Sequence, residues 1–564
     1  MDYRPQWLGF VVVLSMSSCG NLDVDVGQAT EATSAGMQST DTGANSDGID
    51  ESGHSGTQKL DISNNPPNLD QCSVNDGLNG VIDCEDEAPA DSFDPVLEWA
   101  WSPTDAADGG SVVTPLVANL TDDDGNGVID LCDTPDIVVV SRGTNVNRSR
   151  GHLFVIDGAS GAVHWRSEDY VGSAFTPALG DIDGDGFVEI VGSRVLPGGE
   201  DMDTWQLVAW EHDGSIKFAE TFPEGTELGN DLPPVAIKAI ALADLDNDGD
   251  VEIVLGPMIY DHEGQLINIA PGDGSFGNWH WSIDLAVTVV DLDGDGDLEI
   301  VGGRRIWDHE GIQRVSLGGD SSGFPSVADF DADGEPEILI SRQHDGLSMY
   351  EADGTPIFVD QKPVPDPKGF SPNTWNRASA VHDLDGDGVP EFVISTADTY
   401  GAYEANLDIM WQTPVSDLSG VASSTAFDFL GDGRAEAMYG DEDSIFVFGD
   451  QGQELMQLPR RSPTYIEYPV VADVDNDGSA EIIFTSESDP VIGQDYPTLQ
   501  VFGDADDRWI PARRIWNQHT YHVTNVLEDG RIPQFEQPHW QTLNTFRTQA
   551  QIEENGGLCV PPVG

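Results

Sequence analysis

Short acidic loops are the part of this sequence with the clearest potential for chemistry. One of them, DIDGDGFVE, places carboxylates at its first, third, fifth and ninth positions: Asp181, Asp183, Asp185 and Glu189. Calcium prefers six to eight hard oxygen ligands in flexible geometry, and four carboxylates with a backbone carbonyl at the seventh position supply such a set. Gly186, at the sixth position, permits the sharp turn that brings these oxygens together. The spacing therefore predicts a calcium site.

The same spacing recurs along the chain. Five further intact copies are Asp244, Asp246, Asp248 and Glu252; Asp291, Asp293, Asp295 and Glu299; Asp329, Asp331, Asp333 and Glu337; Asp383, Asp385, Asp387 and Glu391; and Asp473, Asp475, Asp477 and Glu481. The alternative is that these loops are solvated turns without an ion. Because four carboxylates within a few ångströms of one another repel strongly without a cation, the sequence favours bound calcium.

Two more copies depart from the pattern. In one, Leu430 replaces the third-position aspartate between Asp428 and Asp432, so this site is expected to be weak or empty. The other is displaced into an insertion of the first repeat and contains Asp122, Asp124, Asn126 and Asp130. The sequence thus predicts about six to seven calcium ions.

The net charge restricts the partners of the chain. It has 24 Lys plus Arg and 101 Asp plus Glu, so the formal charge is 24 − 101 = −77. Phosphates of nucleic acid and anionic lipid headgroups would be repelled, which excludes both as main partners. Cationic partners, with divalent metals first among them, remain.

The repetition of the loops predicts the fold. The copies begin at positions 119, 181, 244, 291, 329, 383, 428 and 473, which are 38 to 63 residues apart. Each copy can be divided into four strands, with the acidic loop between the first two and a tight Asp213–Gly214 type of turn between the last two. Repeats of this size are typical of four-stranded blades. We expect an all-β β-propeller with eight blades, and seven as the alternative.

Two details of the repeats carry further expectations. The segment VLEWAW, Val96 to Trp101, follows no acidic loop and resembles the outermost strand of a blade, so we expect it to complete the eighth blade. His212, His262 and His309 occupy one equivalent turn position, which favours hairpin residues over a metal cluster.

The N-terminus has the pattern of an export signal. An apolar run from Trp7 to Leu14 precedes a short serine-rich stretch and Cys19, and it resembles a bacterial lipoprotein signal in which Cys19 is lipidated. An ordinary cleaved signal peptide is the alternative. We therefore assign residues 1–18 as the signal and residues 19–70 as a flexible acidic tether, because the stretch from Gly20 to about Leu60 has no aromatic residue and cannot bury a core.

Four cysteines follow Cys19, an even number in an exported protein. Cys72 and Cys84 bracket a short acidic stretch within residues 71–92, whereas Cys132 and Cys559 lie far apart. We expect Cys72 to pair with Cys84 and Cys132 with Cys559, although the sequence leaves the other two connectivities open.

The region after the repeats has a different composition. We assign residues 93–512 to the propeller and residues 513–564 to a C-terminal cap. This cap contains the basic and aromatic cluster of the chain, which is Arg513, Arg514, Trp516, His519 and His522.

The acidic repeats resemble the FG-GAP or VCBS repeat, the blade unit also found in the propellers of integrin α-subunits. The resemblance implies calcium in the loops and a propeller that serves as a binding or adhesion module, with an unknown protein or glycan as its ligand. A propeller enzyme that acts on extracellular polysaccharide, as a lyase or hydrolase, is the alternative, but no catalytic residue can be assigned. The expected location is the bacterial outer membrane or cell surface, with membrane contact through the lipid anchor only and no nucleic acid.

Overall fold

In the computed structural model of this chain, the repeats fold into separate four-stranded sheets. The structure describes residues 72, 82–84, 86–89, 92–105, 108–143, 149–196, 204–222, 238–270, 286–319, 323–343, 345–365, 375–417, 422–487, 496–553 and 557–562. All of them lie in the compact unit Asn65–Gly564. The expected signal, the lipidation site Cys19 and the tether up to residue 70 lie outside the described residues.

Eight antiparallel sheets form the blades of a β-propeller, which confirms the preferred blade number. The strands of blades 1 to 4 are Leu116–Ala118, Asp136–Val140, Leu153–Asp157 and Val163–Arg166; Ala178–Gly180, Glu189–Leu196, Thr204–Trp210 and Ile216–Thr221; Ala241–Ala243, Glu252–Leu255, Met258–Tyr260 and Leu266–Ile269; Thr288–Val290, Glu299–Val301, Arg305–Trp307 and Gln313–Ser316. The strands of blades 5 to 8 are Gly323–Ala328, Glu337–Arg342, Gly346–Glu351 and Pro356–Gln361; Ala380–His382, Glu391–Ser395, Thr399–Tyr403 and Ile409–Pro414; Ser424–Phe427, Glu436–Gly440, Ser444–Phe448 and Glu454–Pro459; Val470–Ala472, Glu481–Thr485, Leu499–Asp504 and Pro95–Trp101.

Little regular structure lies outside the blades in the described ranges. Three strand pairs join Ile82–Asp83 to Cys559–Val560, Arg150–Gly151 to Val171–Gly172, and Phe175–Thr176 to Lys238–Ala239. A four-residue helix spans His539–Thr542. No helix of the described residues is both long enough and apolar enough to cross a membrane.

The core lies between neighbouring blades. The first three strands are largely buried and consist mainly of small, β-branched and aromatic residues, because such side chains fit a sheet covered on both faces. Between blades 3 and 4, for example, Ala241 and Val254 pack with Val289, Ile300 and Trp307 in one apolar cluster. Fourth strands are exposed to solvent along much of their length, as in Gln313–Ser316.

The ring is closed by a strand from the N-terminal end of the propeller. Pro95–Trp101 pairs antiparallel with Leu499–Asp504 and forms the outermost strand of blade 8. This confirms the prediction made from VLEWAW. Blade 8 therefore combines strands from both ends of the repeat region, a strand exchange that joins the last blade to the first.

A recurring contact joins each of several blades to the next one. The side chain of Trp165, on the outer strand of blade 1, donates a hydrogen bond to His212 O at 2.9 Å and covers Gly214 in the hairpin turn of blade 2. In the same way, Trp99 of the closing strand donates to Gly158 O at 2.7 Å and covers Gly161. Glycine suits these two turns because it adopts a positive φ without strain and, having no side chain, leaves room for the aromatic ring.

The C-terminal segment contacts the first strand of every blade. Its backbone bonds to three of them: Trp516 exchanges hydrogen bonds with Val117 of blade 1, Asn517 O accepts from Leu179 of blade 2, and Phe546 exchanges hydrogen bonds with Val381 of blade 6. The other contacts join Gln518 to Leu242 of blade 3, Trp540 to the apolar cluster of Val290 in blade 4, His539 to Val327 O of blade 5, Arg547 O to Thr425 of blade 7, and Gln549 to Val471 O of blade 8.

Burial within the C-terminal segment accompanies these contacts. Arg513, Trp516 and His519 have 0% of their surface exposed. The Arg513 guanidinium donates to Val523 O at 2.9 Å and to Val526 O at 2.7 Å. The basic and aromatic cluster is thus enclosed between the blades and the rest of the segment.

The preferred disulfide pairing is wrong. Cys72 bonds to Cys132, and Cys84 bonds to Cys559. The reason is non-local strand pairing: Ile82–Asp83, directly before Cys84, runs parallel to Cys559–Val560, and Cys84 N donates to Val560 O at 2.9 Å. The bond that connects the two ends of the described chain is therefore Cys84–Cys559, and Cys132 fixes the blade 1 insertion to Cys72.

The contact between Trp165 and Gly214 can be tested by one methyl group. A Cβ on Gly214 would lie 2.9 Å from Trp165 Cδ2, whereas a Cβ on the exposed Gly318, which also has a positive φ, would contact nothing within 4 Å. We expect Gly318→Ala to lower the free energy of unfolding by about 1 kcal/mol through backbone strain alone. Gly214→Ala should lower it by about 2–4 kcal/mol, because overpacking adds to that strain. Equal losses in urea unfolding would contradict the contact.

Candidate metal centres

Hydrogen bonds from the backbone fix the carboxylates of each acidic loop. In blade 4, Asp291 accepts from the N–H groups of Gly294 at 2.8 Å and Gly296 at 3.1 Å. Glu299 Oε2 accepts from Leu292 N at 2.9 Å, while its other oxygen, Oε1, is buried without a hydrogen-bond partner. One oxygen of the glutamate is thus used to shape the loop, and the other is left for a ligand.

The glutamate contact recurs in seven blades. In each, the ninth-position glutamate accepts from the backbone N–H of the second loop residue at 2.6–3.1 Å. In blade 6 the ligand oxygens of Asp383, Asp385, Asp387 and Glu391 lie within 4.8 Å of one another, and Asp385 Oδ1 is buried without a hydrogen-bond partner. A cluster of hard oxygens of this size fits calcium, which these residues would hold.

Crowding of the carboxyl groups shifts their acidity. Burial, reinforced by the charges of the loop aspartates, raises the pKa of Glu252 to about 8, of Glu299 and Glu337 to about 7, and of Glu391 to about 9. Each such site is costly to ionise without a positive charge beside it. Without a cation, the folded loops therefore favour the protonated form of these glutamates.

A β-bulge in the outer strand places one more side chain beside the acidic residues of blades 1, 2, 4 and 8. In every blade the pairing of the third and fourth strands skips one residue toward the start of the fourth strand, which we call the bulge residue, and blade 5 has a second irregularity further along. From blade 1 to blade 8 the bulge residues are His164, Lys217, Ile267, Arg314, Ile357, Met410, Leu455 and Glu98. Bulges commonly re-aim side chains at functional sites, and sequence alternation alone does not reveal them.

In blade 2 the bulge residue is itself a cation in the acidic loop. Lys217 Nζ lies 2.5 Å from Asp183 Oδ2, 3.3 Å from Glu189 Oε1 and 3.2 Å from Glu211 Oε1. The bulge residue of blade 4, Arg314, is more exposed and contacts Asp293 Oδ2 at 3.4 Å. Lys217 thus balances part of the negative charge of the blade 2 loop. The bulge residues of blades 3, 5 and 6 are apolar, so they give no such counter-charge to the intact loops of those blades.

Blade 8 has an additional carboxylate at the bulge. Burial, and then the charges of Asp475 and Asp477, raises the pKa of Glu98 to about 7. This glutamate belongs to the closing strand Pro95–Trp101. The acidic cluster of blade 8 therefore combines residues from the N-terminal and the C-terminal parts of the propeller.

Blade 7 differs in the way that its sequence indicates. Leu430 packs with an apolar cluster that includes Phe429, and its carbonyl accepts a hydrogen bond from Ala88 N at 2.8 Å. A Cβ on Gly431 would lie 2.4 Å from Asp86 O. The loop of blade 7 is therefore covered by the segment around Ala88 as well as lacking a carboxylate.

In the insertion of blade 1, some of the calcium ligands predicted from the sequence lie together with an aspartate that was not predicted. Asp122 accepts from Asn126 N at 3.0 Å and Gly127 N at 2.8 Å, as the first aspartate does in intact loops. The ligand oxygens of Asp122 and Asp124 lie close to Asp133, whereas Asp130 accepts from Cys132 N at 2.8 Å. Asp133, which the nine-residue spacing missed, also accepts from the N–H groups of the second and third loop residues.

The three turn histidines lie beside the loops and not in one cluster. The ring of His212 stacks on Phe187 with centroids 4.5 Å apart. His309 Nδ1 lies 3.3 Å from Asp297, and His262 Nδ1 lies 3.8 Å from Asp250.

Comparisons with known proteins agree with this architecture. Residues 329–394, from the loop of blade 5 to the second strand of blade 6, match the family described as FG-GAP-like repeat. The chain is a β-propeller, and this part of it matches an FG-GAP-like repeat. No curated protein matches it.

Solved structures share the propeller fold. The biofilm matrix protein Bap1 of V. cholerae has a TM-score of 0.67 and 20% identity, over 81% of this propeller chain and 98% of that protein. The exotype rhamnogalacturonan lyase YesX has a TM-score of 0.49 and 16% identity, over 74% and 75% of the two chains. The Bacillus licheniformis rhamnogalacturonan lyase PL11 has a TM-score of 0.46 and 16% identity, over 81% and 80%. At these identities the Bap1 likeness shows the fold alone.

Lys217 should keep divalent ions out of the blade 2 loop. Lys217→Met removes the ammonium but retains a side chain of similar length, so we expect the variant to bind one more calcium ion than the parent chain in equilibrium dialysis. Arg314→Met is the matched control, because Arg314 is more exposed and pairs with Asp293 Oδ2 at 3.4 Å and Asp308 Oδ2 at 3.2 Å. An unchanged stoichiometry in Lys217→Met would contradict this assignment.

The raised carboxyl pKa values predict how pH affects the calcium-free protein. The folded chain keeps protons on Glu252, Glu299 and Glu391 above the ordinary pKa of 4.5 that the unfolded chain has. This contribution to stability is complete below about pH 4.5 and is lost as pH rises through about 7 to 9. We expect urea unfolding of calcium-stripped protein to give a lower free energy at pH 8.5 than at pH 6. Saturating calcium should remove the difference, and a stripped protein that is equally stable at both pH values would disprove the crowding.

Proposed function

We propose that this chain is a calcium-binding, lipid-anchored propeller that acts outside the cytoplasm as a binding or adhesion module. The observation that carries the proposal is the ring of acidic loops in which buried carboxylates crowd one another and leave oxygens such as Glu299 Oε1 without a partner. Such loops require cations, and divalent calcium is abundant outside cells. Calcium would therefore act as a structural ion that makes the ring rigid where it is displayed.

Not all loops would contribute equally. The loops of blades 3, 4, 5, 6 and 8 are intact and have no lysine within them, and the insertion loop of blade 1 supplies Asp122, Asp124 and Asp133. Blade 2 is neutralised by Lys217, and blade 7 lacks one carboxylate. Six calcium ions follow from this count.

The binding role is supported by fold and charge. The propeller fold is shared with a biofilm matrix protein, and repeated blades present a large rigid surface to a partner. The charge of −77 disfavours nucleic acid and anionic lipid, which leaves a protein or a glycan as the ligand. Attachment through Cys19 at the outer membrane or cell surface would place this surface where such ligands occur.

Calcium removal should lower stability strongly. With a Kd of about 0.1 mM per site and about 1 mM calcium, each ion contributes about 1.4 kcal/mol, and six contribute about 8 kcal/mol. We expect chelation to lower the melting temperature by on the order of 10 °C. Asp293→Ala should remove one calcium ion per chain, whereas Asp432→Ala, in the defective loop of blade 7, serves as the control and should remove none. A melting temperature that is insensitive to chelator would refute the calcium assignment.

The binding assignment is tested with the same calcium-loaded chain on a glycan array followed by product analysis. We expect the array to retain the protein and the bound glycan to be recovered intact. Shortened or unsaturated products would replace the binding role by the lyase or hydrolase alternative.

A further inference from the structure

The outer-strand bulge of blade 1 places a histidine where blade 2 has the ammonium of Lys217. Ile156 pairs with Val163 and Val155 with Trp165, so His164 is the residue that the pairing skips. Lys217 is skipped in the same way in blade 2, and it contacts three carboxylates there. In blade 2 the side chain of the bulge residue therefore lies among carboxylates, where it balances their negative charge.

Three carboxylates surround the imidazole of His164. Its Nε2 lies 3.2 Å from Asp136 Oδ1 and 3.9 Å from Asp157 Oδ2. Asp123, Asp157 and His164 each offer a ligand atom, and these atoms lie within 4.8 Å of one another. Asp136 begins the second strand of blade 1 and takes the role of the loop glutamate, because its Oδ2 accepts from Leu120 N at 3.0 Å.

A buried oxygen without a hydrogen-bond partner points into this group. The side chain of Asp136 has 0% of its surface exposed, and Asp136 Oδ1, the atom nearest to His164, makes no hydrogen bond. Its other oxygen is used by Leu120 and by the hydroxyl of Thr121 at 3.0 Å. Thr121 Oγ1 also lies 3.2 Å from Asp123 Oδ2, so its one proton is shared between the two carboxylates.

We propose that His164, Asp136, Asp157 and Asp123 form a binding site for a transition-metal ion of the zinc class, which adjoins the calcium site of the insertion loop because Asp123 lies between Asp122 and Asp124. Imidazole nitrogen with carboxylate oxygens is a donor set that suits Zn²⁺ and its first-row neighbours, whereas calcium takes oxygen ligands. Hydrogen bonds that orient the ligating carboxylates are typical of such centres. His164 has 27% of its side chain exposed, which gives an ion access from solvent.

The site can be tested on the exported chain with its calcium loops filled. The protein is stripped of metal, returned to 1 mM calcium and titrated with Co²⁺, whose visible absorption reports coordination, and then with Zn²⁺ in competition. We expect one Co²⁺ per chain, displaced by Zn²⁺, and at least ten-fold weaker binding in His164→Gln. His212→Gln, which changes a turn histidine that stacks on Phe187, is the matched control and should retain the Co²⁺ spectrum.

The remaining outcomes also decide the proposal. If His164→Gln does not fold, as judged by its calcium-dependent melting temperature, Asp157→Asn replaces it and should weaken Co²⁺ to the same degree. Co²⁺ binding that is unchanged in a folded His164→Gln variant would overturn the site. A parent chain that binds no Co²⁺ in the presence of calcium would overturn it as well, and would leave His164 as an ion-pair partner of Asp136.

Discussion

Contact between the C-terminal segment and the first strands of the blades is the constraint on which this propeller depends. These strands have one neighbour within their own sheet, so part of their backbone needs other partners in the buried centre of the ring. Trp516 bonds to Val117, Asn517 to Leu179, and Phe546 to Val381. One segment therefore joins blades that are far apart in the chain, and strand exchange in blade 8 and the Cys84–Cys559 bond fix its two ends.

The two ends of the blades solve the problem of buried charge in different ways. Away from the acidic loops, arginines pair with acids of adjacent blades or connections, as Arg142 does with Glu487 at 2.9 Å and Arg377 with Asp417 at 3.1 Å. At the loops, by contrast, glutamates such as Glu299 are buried beside aspartates and most lack an arginine. The chain's own arginines thus balance buried acids away from the loops, whereas at most of the loops the calcium ions that we propose would do so.

The bulge residue allows one fold to contain several kinds of site. Lys217 supplies a fixed cation, His164 supplies a nitrogen ligand, and Glu98 adds a carboxylate. Each change is confined to an outer strand that faces solvent, so it alters the site without disturbing the core between the blades. Glu98 has a further consequence, since it belongs to the closing strand: a cation held by blade 8 would contact both ends of the ring at once.

The sequence by itself determined the blade repeat, the acidic loops and the closing strand, and it favoured eight blades over seven. Each blade is encoded within about 50 residues by local features: a short apolar strand, an acidic turn with glycine, and a β-branched strand. Such features can be recognised in the sequence without knowledge of the rest of the chain. Leu430 identified the defective loop for the same reason.

Only the tertiary structure decided the contacts between residues distant in sequence and those set by register. Cys84 pairs with Cys559 because two short strands lie side by side, although the two cysteines are 475 residues apart in the chain. Nothing in the sequence indicates that Cys84 does not pair with the nearer Cys72. Asp133 lies with Asp122 and Asp124 because the insertion folds back on itself, an arrangement that the nine-residue spacing does not reveal. Lys217 and His164 face the loops because a bulge shifts their register, and a one-residue shift reverses the face to which a strand side chain points.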